Sequence, residues 1–479
     1  MDSTIVRDRP PVRPGATHDA VLVVPGIMGT ELYEAATGRM LWGMRKVAEY
    51  AARWDLENGM DALALTDDER AGRLGRVVPG RLLRTPAWMP LTDGFEPYTP
   101  LVKGLRKAVV HPAAVDEFGY DWRLPVEHNA GLLADKIDQH LTAWRAHPDC
   151  RAATAAAPDQ RPARIVLVAH SMGGLVTAAL GLIPGALDDV RAVLTVGTPF
   201  HGAVKAMEIL NSGRGMLGLP AKNLSRLART LPGVHDLLPS YRCLDTGDDV
   251  VALTPGDVEA IGGDRELGER AFRLHARLDE VELPGHRIVE GTAQHTTQSL
   301  RIRDGVVEAR HVGYDRHDDG ELLRDEIGRL VEYDHGGDGT VYRYSTTHRD
   351  VETYPVAQQH AALAVTGSVL DFARGLLTGN RRGARLGGTD VGLDTPDRVP
   401  VGTPFEVRAR TEQDPDRVSC LVEDAGAEAL QNPVRKPLLT PVPGEDALLS
   451  ARVLLDDPGL YRVKVGAGGD PVTRLVMVG

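Results

Sequence analysis

Runs of apolar residues alternate with helical patterns through the first half of the chain. Ala20–Val24 and Ile165–Ala169 are uninterrupted, and Val190–Val196 is a less continuous third run. Such runs are typical of strands that a parallel sheet buries on both faces. Helical patterns cover Val126–Trp144 and Gly173–Leu182. This alternation predicts βαβ units and an α/β fold with a mostly parallel sheet covered by helices.

Two long segments interrupt this alternation, at about residues 31–97 and about residues 203–284. The first contains Trp42, Trp54 and Trp88, and its pattern predicts turns and short helices; the second predicts several helices punctuated by glycine and proline. Long connections in a compact domain are usually functional. We therefore expect a lid in the first segment and a cap in the second.

The two ends of the chain differ from its middle. Residues 1–17 are polar and rich in proline, which predicts a disordered segment, and the α/β domain is expected over residues 18–383. Residues 389–479 carry short alternating strands such as Phe405–Ala409 and Leu460–Val465. Short strands separated by proline, glycine and aspartate predict a small all-β domain, an Ig-like β-sandwich.

The composition of the chain argues against several classes of protein. The chain has 479 residues and a formal net charge of −12, which argues against sequence-independent nucleic-acid binding. Three widely spaced cysteines favour neither a disulfide framework nor a zinc site. The N-terminus lacks the apolar core of a secretory signal, and no window approaches the ~20 apolar residues of a membrane span. We expect a cytoplasmic protein without metal or organic cofactor.

The strongest local motif is Ala169-His170-Ser171-Met172-Gly173-Gly174, between a predicted strand and a predicted helix. A nucleophile elbow has this strand-turn-helix context and needs small residues two positions before and after its serine. Here they are Ala169 and Gly173. The turn would expose the Ser171 hydroxyl and place the Met172 N–H in an oxyanion hole. The alternative is a chance match in a glycine-rich chain.

A serine nucleophile of this kind is followed along the chain by an acid and then by a histidine. Asp338 lies in a glycine-rich segment after Ser171, although an Asp-Gly turn residue is the alternative interpretation. His360 follows it, directly before an apolar helical pattern. We predict that these two residues act with Ser171, ahead of three rival histidines: His317, His335 and His348.

A second oxyanion donor is expected in a loop after an early strand. Val24-Pro25-Gly26-Ile27-Met28-Gly29-Thr30 follows the first apolar run, and the Ile27 N–H is the predicted donor. The alternative is a simple turn that ends the strand.

Taken together, these motifs resemble the lecithin:cholesterol acyltransferase family, which includes phospholipid:diacylglycerol acyltransferases and lysosomal-type phospholipases. The resemblance extends over about residues 19–375 and does not include the tail. Five segments carry it: Val24–Leu32, Tyr120–Arg123, Ala169–Gly174, Gly197–Gly202 and Gly337–Val341.

The resemblance implies an α/β-hydrolase fold with a cap and a lipid-handling lid. Ser171 would attack an ester carbonyl, His360 would take its proton, Asp338 would orient the imidazole, and the N–H groups of Ile27 and Met172 would stabilise the oxyanion. The segment Tyr120–Arg123 would be core architecture behind the site, and Met28 and Trp42 are candidate substrate contacts. The signal peptide and the disulfide near the lid that secreted members carry are missing here.

The predicted function is acyl transfer or ester hydrolysis on a lipid or other hydrophobic ester. The sequence does not distinguish transfer from hydrolysis. Peripheral membrane contact and a protein partner for the C-terminal domain remain open. The alternative is a non-catalytic interaction protein that uses a hydrolase scaffold and the C-terminal sandwich to bind partners.

Overall fold

A computed structural model describes residues 16–43, 60–83, 98–213, 221–315, 321–379, 391–425 and 434–479. Its centre is a six-stranded sheet in which all neighbouring strands are parallel. From one edge to the other, the strands are Thr353–Ala357, Arg287–Thr292, Val190–Val196, Ile165–His170, Ala20–Val24 and Val115–Glu117.

The two uninterrupted apolar runs form neighbouring strands that pair in register, from Ala20 with Ile165 to Val24 with Ala169. Every residue of both strands is buried, which explains why their sequences contain no alternating polar positions. Because parallel strands place their carboxyl ends at one edge of the sheet, the loops after Val24 and His170 lie side by side.

Helices flank the sheet, so the predicted α/β-hydrolase fold is confirmed. The α-helices are Asp67–Arg70, Thr99–Arg106, Val126–Ala146, Pro148–Ala156, Met172–Ala178, Val204–Ser212, Ala221–Ala228, Pro232–His235, Pro255–Ala260, Arg265–Leu278, His360–Leu363 and Gly367–Thr378. Single 3₁₀ turns span Asp61–Leu63, Pro112–Ala114, Ala179–Leu182, Arg343–Thr346 and Pro415–Arg417. In the part of the chain that the structure describes, no helix is long and apolar enough to cross a membrane. All three cysteines are free and buried.

Residues 16 and 17, at the end of the segment predicted to be disordered, belong to the described part of the chain. Thr17 is buried; its N–H donates to the Ala108 carbonyl and its own carbonyl accepts from the Val110 N–H. Residues 1–15 of this segment lie outside the described residues. The proline-rich composition gave no indication of this pairing, because the partner strand position is more than 90 residues away.

The predicted lid segment contains a sheet that its pattern did not predict. Met40–Trp42, Thr30–Glu34 and Val77–Leu82 form three antiparallel strands in this order. Trp54 and Trp88 lie outside the described residues. The register of the central strand shifts between Leu32 and Tyr33 in its pairing with Met40–Trp42, and between Thr30 and Leu32 in its pairing with Val77–Leu82. These irregularities interrupt the strict alternation by which strands are recognised in a sequence.

A buried ion-pair network fastens this segment to the core. The Arg123 guanidinium, 1% exposed, donates to Asp121 at 2.7 Å and to Glu69 at 2.9 Å, and Arg76 donates to Glu69 at 2.8 Å. Burial would raise the pKa of Glu69, but the Thr66 N–H and the two guanidiniums lower this pKa to about 2. Glu69 is therefore charged and paired at neutral pH.

Glu69→Gln is expected to destabilise the protein at pH 7 by about 3 kcal/mol, because Arg76 loses its carboxylate partner and Arg123 loses one of two. A carboxylate with a lowered pKa stabilises the fold above its unfolded pKa of 4.5, and this contribution is lost as the pH falls from there toward 2. The difference in Tm between wild type and variant should therefore be large at pH 7 and shrink below pH 4.5. Calorimetry at several pH values measures this difference in Tm, and Glu412→Gln, at an exposed position, is the control. A difference that does not shrink in acid would contradict this assignment.

The predicted cap segment is helical, as its pattern indicates. Helices Val204–Ser212 and Ala221–Ala228 pack against each other and present apolar side chains toward the carboxyl edge of the central sheet. The segment also supplies two strands to a second sheet, whose order is Val306–Arg310, Ser299–Arg303, Arg242–Asp245 and Val250–Ala252. Gly313–Tyr314 and Glu332–Tyr333 form a separate two-stranded ribbon.

The C-terminal residues form two four-stranded sheets around their own apolar cluster. One has the order Gly392–Asp394, Phe405–Arg410, Leu448–Val453 and Thr440–Pro441; the other has Arg398–Val399, Val472–Val478, Gly459–Gly466 and Ser419–Asp424. Residues of Phe405–Arg410 alternate strictly between buried and exposed. One face of the strand therefore packs into the cluster and the other faces solvent.

Candidate active site

Ser171 occupies a strained turn between the strand Ile165–His170 and the helix Met172–Ala178. Its φ of 54° and ψ of −131° lie outside the usual regions for a residue with a side chain. The turn brings backbones close together: a Cβ at Gly173 would lie 2.3 Å from the Pro25 carbonyl oxygen. Only glycine fits there, which is the physical reason for a small residue two positions after the serine.

Three distant segments bring Ser171, His360 and Asp338 into one hydrogen-bonded relay. His360 Nε2 lies 2.9 Å from Ser171 Oγ, and His360 Nδ1 lies 2.6 Å from Asp338 Oδ2. Asp338 is 1% exposed, and its Oδ1 accepts from the N–H groups of Thr340 and Val341 at 3.0 and 2.7 Å. The carboxylate is thereby fixed in orientation. Nδ1–H donates to it, and Nε2 is left to accept the serine proton.

The rival histidines have other surroundings. His335 Nε2 contacts the Asp315 carboxylate at 3.0 Å. His348 Nε2 faces the Leu278 carbonyl at 3.2 Å, and its ring stacks on Phe200. His317 lies outside the described residues.

The predicted oxyanion loop lies directly against the serine. A Cβ at Gly26 would lie 2.9 Å from the Ser171 Cβ, so the chain through Gly26 and Ile27 passes at contact distance from the nucleophile. The Met172 N–H belongs to the first turn of a helix, where N–H groups have no partner within the helix. Both predicted donors therefore border the site, and their role in stabilising an oxyanion stays a prediction.

A second relay, which the sequence analysis missed, connects the two sides of the site. The Tyr98 hydroxyl accepts from the Gly26 N–H at 2.8 Å and lies 3.0 Å from His170 Nδ1. His170 Nε2 in turn lies 3.1 Å from the His360 carbonyl. Burial, reinforced by the neighbouring His360, lowers the pKa of His170 to about 3. The imidazole is therefore neutral and connects the oxyanion loop to the histidine loop, with Tyr98 O–H donating to Nδ1 and Nε2–H donating to the carbonyl.

Tyr98→Phe is expected to lower kcat for ester cleavage about 10-fold, because the Gly26 N–H and His170 Nδ1 both lose their partner and the oxyanion loop loses its support. KM should change less than twofold, since the ring remains in place. Steady-state kinetics with p-nitrophenyl butyrate measure both, and Tyr333→Phe, at an exposed site, is the control. An unchanged kcat would show that this relay does not hold the loop.

A cavity of about 270 Å³ opens above Ser171 and His360, and its surface is largely apolar. Apolar residues of the cap segment line it: Ala203, Ala206, Ile209, Leu224, Leu227, Ala228, Leu231, Val234 and Leu237. Ile27, Met28 and Leu83 line it from the opposite segment. The arrangement fits an apolar ligand whose reacting group reaches Ser171.

The two candidate substrate contacts differ in position. Met28 lines the cavity, whereas Trp42 is not among the residues that line it. The Trp42 indole N–H donates to the Met28 carbonyl at 2.8 Å, and its ring meets Trp122 edge-on at 5.7 Å. Trp42 is therefore a packing residue, as large aromatic rings in a core usually are. Trp122, predicted as core architecture, does line the cavity.

One histidine cluster lies outside this cavity. Ligand atoms of His111, His147 and Asp149 lie within 4.8 Å of one another. However, Nδ1 of His111 accepts from the Ala113 N–H at 3.1 Å, and Nδ1 of His147 accepts from the Asp149 N–H at 3.2 Å. A metal-bound histidine donates a proton from its second nitrogen, which these rings cannot do. The cluster therefore caps helices and does not fit a metal.

Comparisons with known proteins give one family match and several distant structural similarities. Comparison with curated proteins gave no significant match. The crystal structure of the Tle4-Tli4 complex is similar at a TM-score of 0.44 and 18% identity, over 75% of this chain and 96% of that one. The mature lipase BlEst2 of Bacillus licheniformis is similar at a TM-score of 0.35 and 12% identity, over 77% and 96%. Because both TM-scores lie below 0.5, neither structure carries an argument about activity.

The family model of lecithin:cholesterol acyltransferase matches residues 91–256. This stretch contains the Tyr120–Arg123 motif, the elbow around Ser171 and most of the cap segment. The match to this family model confirms, over residues 91–256, the resemblance that the motifs indicate.

Proposed function

We propose that this protein is a serine acyltransferase or esterase that acts on a lipid or other hydrophobic ester through an acyl-enzyme intermediate. The observation that carries the proposal is the relay at the floor of an apolar cavity, with Ser171 Oγ 2.9 Å from His360 Nε2 and His360 Nδ1 2.6 Å from Asp338. The family match supports acyl transfer or hydrolysis in general.

In the proposed reaction, Ser171 Oγ attacks the ester carbonyl while His360 Nε2 takes its proton. Asp338 keeps the Nδ1 proton in place and stabilises the imidazolium that forms. The N–H groups of Ile27 and Met172 stabilise the tetrahedral oxyanion. When that intermediate collapses, His360 gives its proton to the leaving alcohol and the acyl group remains on Ser171.

The second half of the reaction repeats these steps in reverse. An acceptor O–H, from water or from an alcohol, gives its proton to His360 and attacks the acyl-enzyme carbonyl. Hydrolysis and transfer thus share one site, and they differ in which acceptor reaches it. The apolar cavity favours an acyl chain as the buried part of the substrate, because burying each methylene contributes about 0.8 kcal/mol.

A fluorophosphonate probe tests the proposal, since it reacts with serines that an adjacent base activates. We expect peptide mapping to find the adduct on Ser171 and heat-denatured protein to remain unlabelled. Incubation with a mixed lipid extract, with and without a long-chain alcohol, then identifies the acyl donor and the acceptor. Labelling at another residue, or active protein that the probe does not label, would refute the proposed site.

A further inference from the structure

The C-terminal sheets reach the same cavity as Ser171. Thr473, Arg474 and Leu475, on the strand Val472–Val478, line the cavity together with His360, and Asp397 lines it from the neighbouring loop. Arg474 is paired with Asp397 at 2.7 Å. Its charge is therefore neutralised within the C-terminal part, and the strand contributes a wall to the cavity.

Gln358, two residues before His360, holds the histidine loop onto this strand. Its side chain is buried. Its Oε1 accepts from the Thr473 N–H at 2.9 Å, and its Nε2 donates to the Pro471 carbonyl at 3.0 Å. The amide thus uses a donor and an acceptor on one stretch of backbone, as a neighbouring strand would.

Gln294 makes a parallel connection on the other side of the loop. It is 1% exposed; its Oε1 accepts from Gln359 Nε2 at 2.7 Å and from the Leu393 N–H at 3.2 Å, and its Nε2 donates to the Val391 carbonyl at 2.9 Å. Its backbone N–H donates to the Gly337 carbonyl at 3.0 Å. The residues that precede Asp338 and His360 are therefore both connected through Gln294 to the first C-terminal strand.

We infer that the C-terminal sheets position the proposed general base, and that Gln358 is the positioning residue through which the strand Val472–Val478 acts on His360. The inference rests on the proposed function of the Ser171–His360–Asp338 relay. It assigns these sheets a part in the chemistry, where the sequence analysis left open only a protein partner for the C-terminal domain.

The distance between His360 and Ser171 explains why holding the histidine loop in place affects the rate of ester cleavage. Proton transfer needs His360 Nε2 within hydrogen-bond reach of Ser171 Oγ, and a displacement of ~1 Å can cost about 100-fold in rate. The histidine lies at the start of the short helix His360–Leu363, which follows the strand Thr353–Ala357 through Gln358 and Gln359 alone. Fixing these two glutamines therefore fixes the entry of the histidine into the site.

The full-length protein tests this with Gln358→Ala and p-nitrophenyl butyrate. We expect kcat to fall about 10- to 100-fold with KM within about twofold, and the rate of fluorophosphonate labelling of Ser171 to fall in parallel. Gln358→Glu keeps the acceptor for the Thr473 N–H and should retain more activity than Gln358→Ala. Gln139→Ala, on the exposed side of the helix Val126–Ala146, should match wild type.

The variant Asp470→Ala distinguishes positioning of His360 from general attachment of the C-terminal sheets to the rest of the chain. Asp470 Oδ2 accepts from the Ser368 N–H at 2.7 Å, a second contact between the same two parts of the chain that does not touch the histidine loop. We expect Asp470→Ala to lower Tm and leave kcat unchanged. Equal losses of kcat in Asp470→Ala and Gln358→Ala would overturn the inference, because a general loosening would then explain both.

Two further outcomes distinguish a failure of the inference from a failure of the proposed function. Wild-type kcat in Gln358→Ala, or in Gln358→Leu if the alanine variant does not fold, would overturn the inference while leaving the proposed function intact, because both variants lose both hydrogen bonds to the strand. Unchanged ester cleavage in Ser171→Ala would instead overturn the proposed function, whatever Gln358→Ala does.

Discussion

Ser171→Ala is expected to lower kcat for ester cleavage by about 10⁵- to 10⁶-fold, since the three groups of such a relay act as a unit and the nucleophile has no substitute. Tm should change little, because alanine adopts the same strained φ of 54° and fills the turn with one atom less. KM or substrate affinity should stay close to wild type, because the apolar cavity is unaltered.

Measurement of this variant needs a purified protein free of contaminating esterase, and Ser419→Ala in the C-terminal sheet serves as the matched control. The residual rate of Ser171→Ala over the uncatalysed reaction reports what the oxyanion donors and binding contribute without the nucleophile. A loss of less than about 10-fold would mean that another residue carries the reaction.

Asp338→Asn is expected to lower kcat by about 10⁴-fold through the tautomer of His360. Asp338 Oδ1 accepts two backbone N–H bonds, so the asparagine will keep its oxygen there and turn its NH₂ group toward His360 Nδ1. Nδ1 must then accept, which places the imidazole proton on Nε2. That nitrogen can no longer take the proton of Ser171.

Two readouts separate this tautomer effect from a loss of structure. The variant should keep a Tm near that of wild type and bind substrate normally, while the fluorophosphonate labelling rate of Ser171 falls with kcat. Asp138→Asn, on an exposed helix face, is the control. If Asp338→Asn retained more than a tenth of the wild-type kcat, the orienting role of Asp338 would be refuted.

The sequence predicted those features whose cause is local. Strands such as Ile165–His170 are buried on both faces, so their composition alone indicates a central position in a parallel sheet. The elbow is predictable because a tight strand-to-helix turn needs small residues two positions before and after its serine, and Ala169 and Gly173 stand there. The fold class and the family resemblance followed from such motifs, and both are confirmed.

Features that depend on distant partners left little trace in the sequence. The hydrogen bond from the Thr17 N–H to the Ala108 carbonyl could not be predicted, because no residue near Thr17 in the sequence indicates that partner. The strands of the lid segment were missed because register shifts between Thr30 and Tyr33 interrupt their alternation. Trp42 was a candidate substrate contact, and only the fold shows that it bonds to the Met28 carbonyl and is not among the residues that line the cavity.

The surroundings of the relay were predicted less completely than its members. The chain order of serine, acid and histidine indicated Ser171, Asp338 and His360, and the structure brings them within hydrogen-bond distance; their catalytic roles remain proposals. Tyr98 had no signal, because a lone tyrosine is common in any core. The sheets that hold Gln358 looked like a separate domain, since strand patterns do not reveal which loops a sandwich packs against.

Trapping the acyl-enzyme tests the central claim most directly. Wild-type protein is mixed with p-nitrophenyl butyrate, quenched in acid during the initial burst, digested and analysed by mass spectrometry. The account predicts a butyryl group on the peptide that contains Ser171, equal in amount to the burst of p-nitrophenol, and none in Ser171→Ala. A butyryl group on a different residue, or a burst without any covalent adduct, would contradict it.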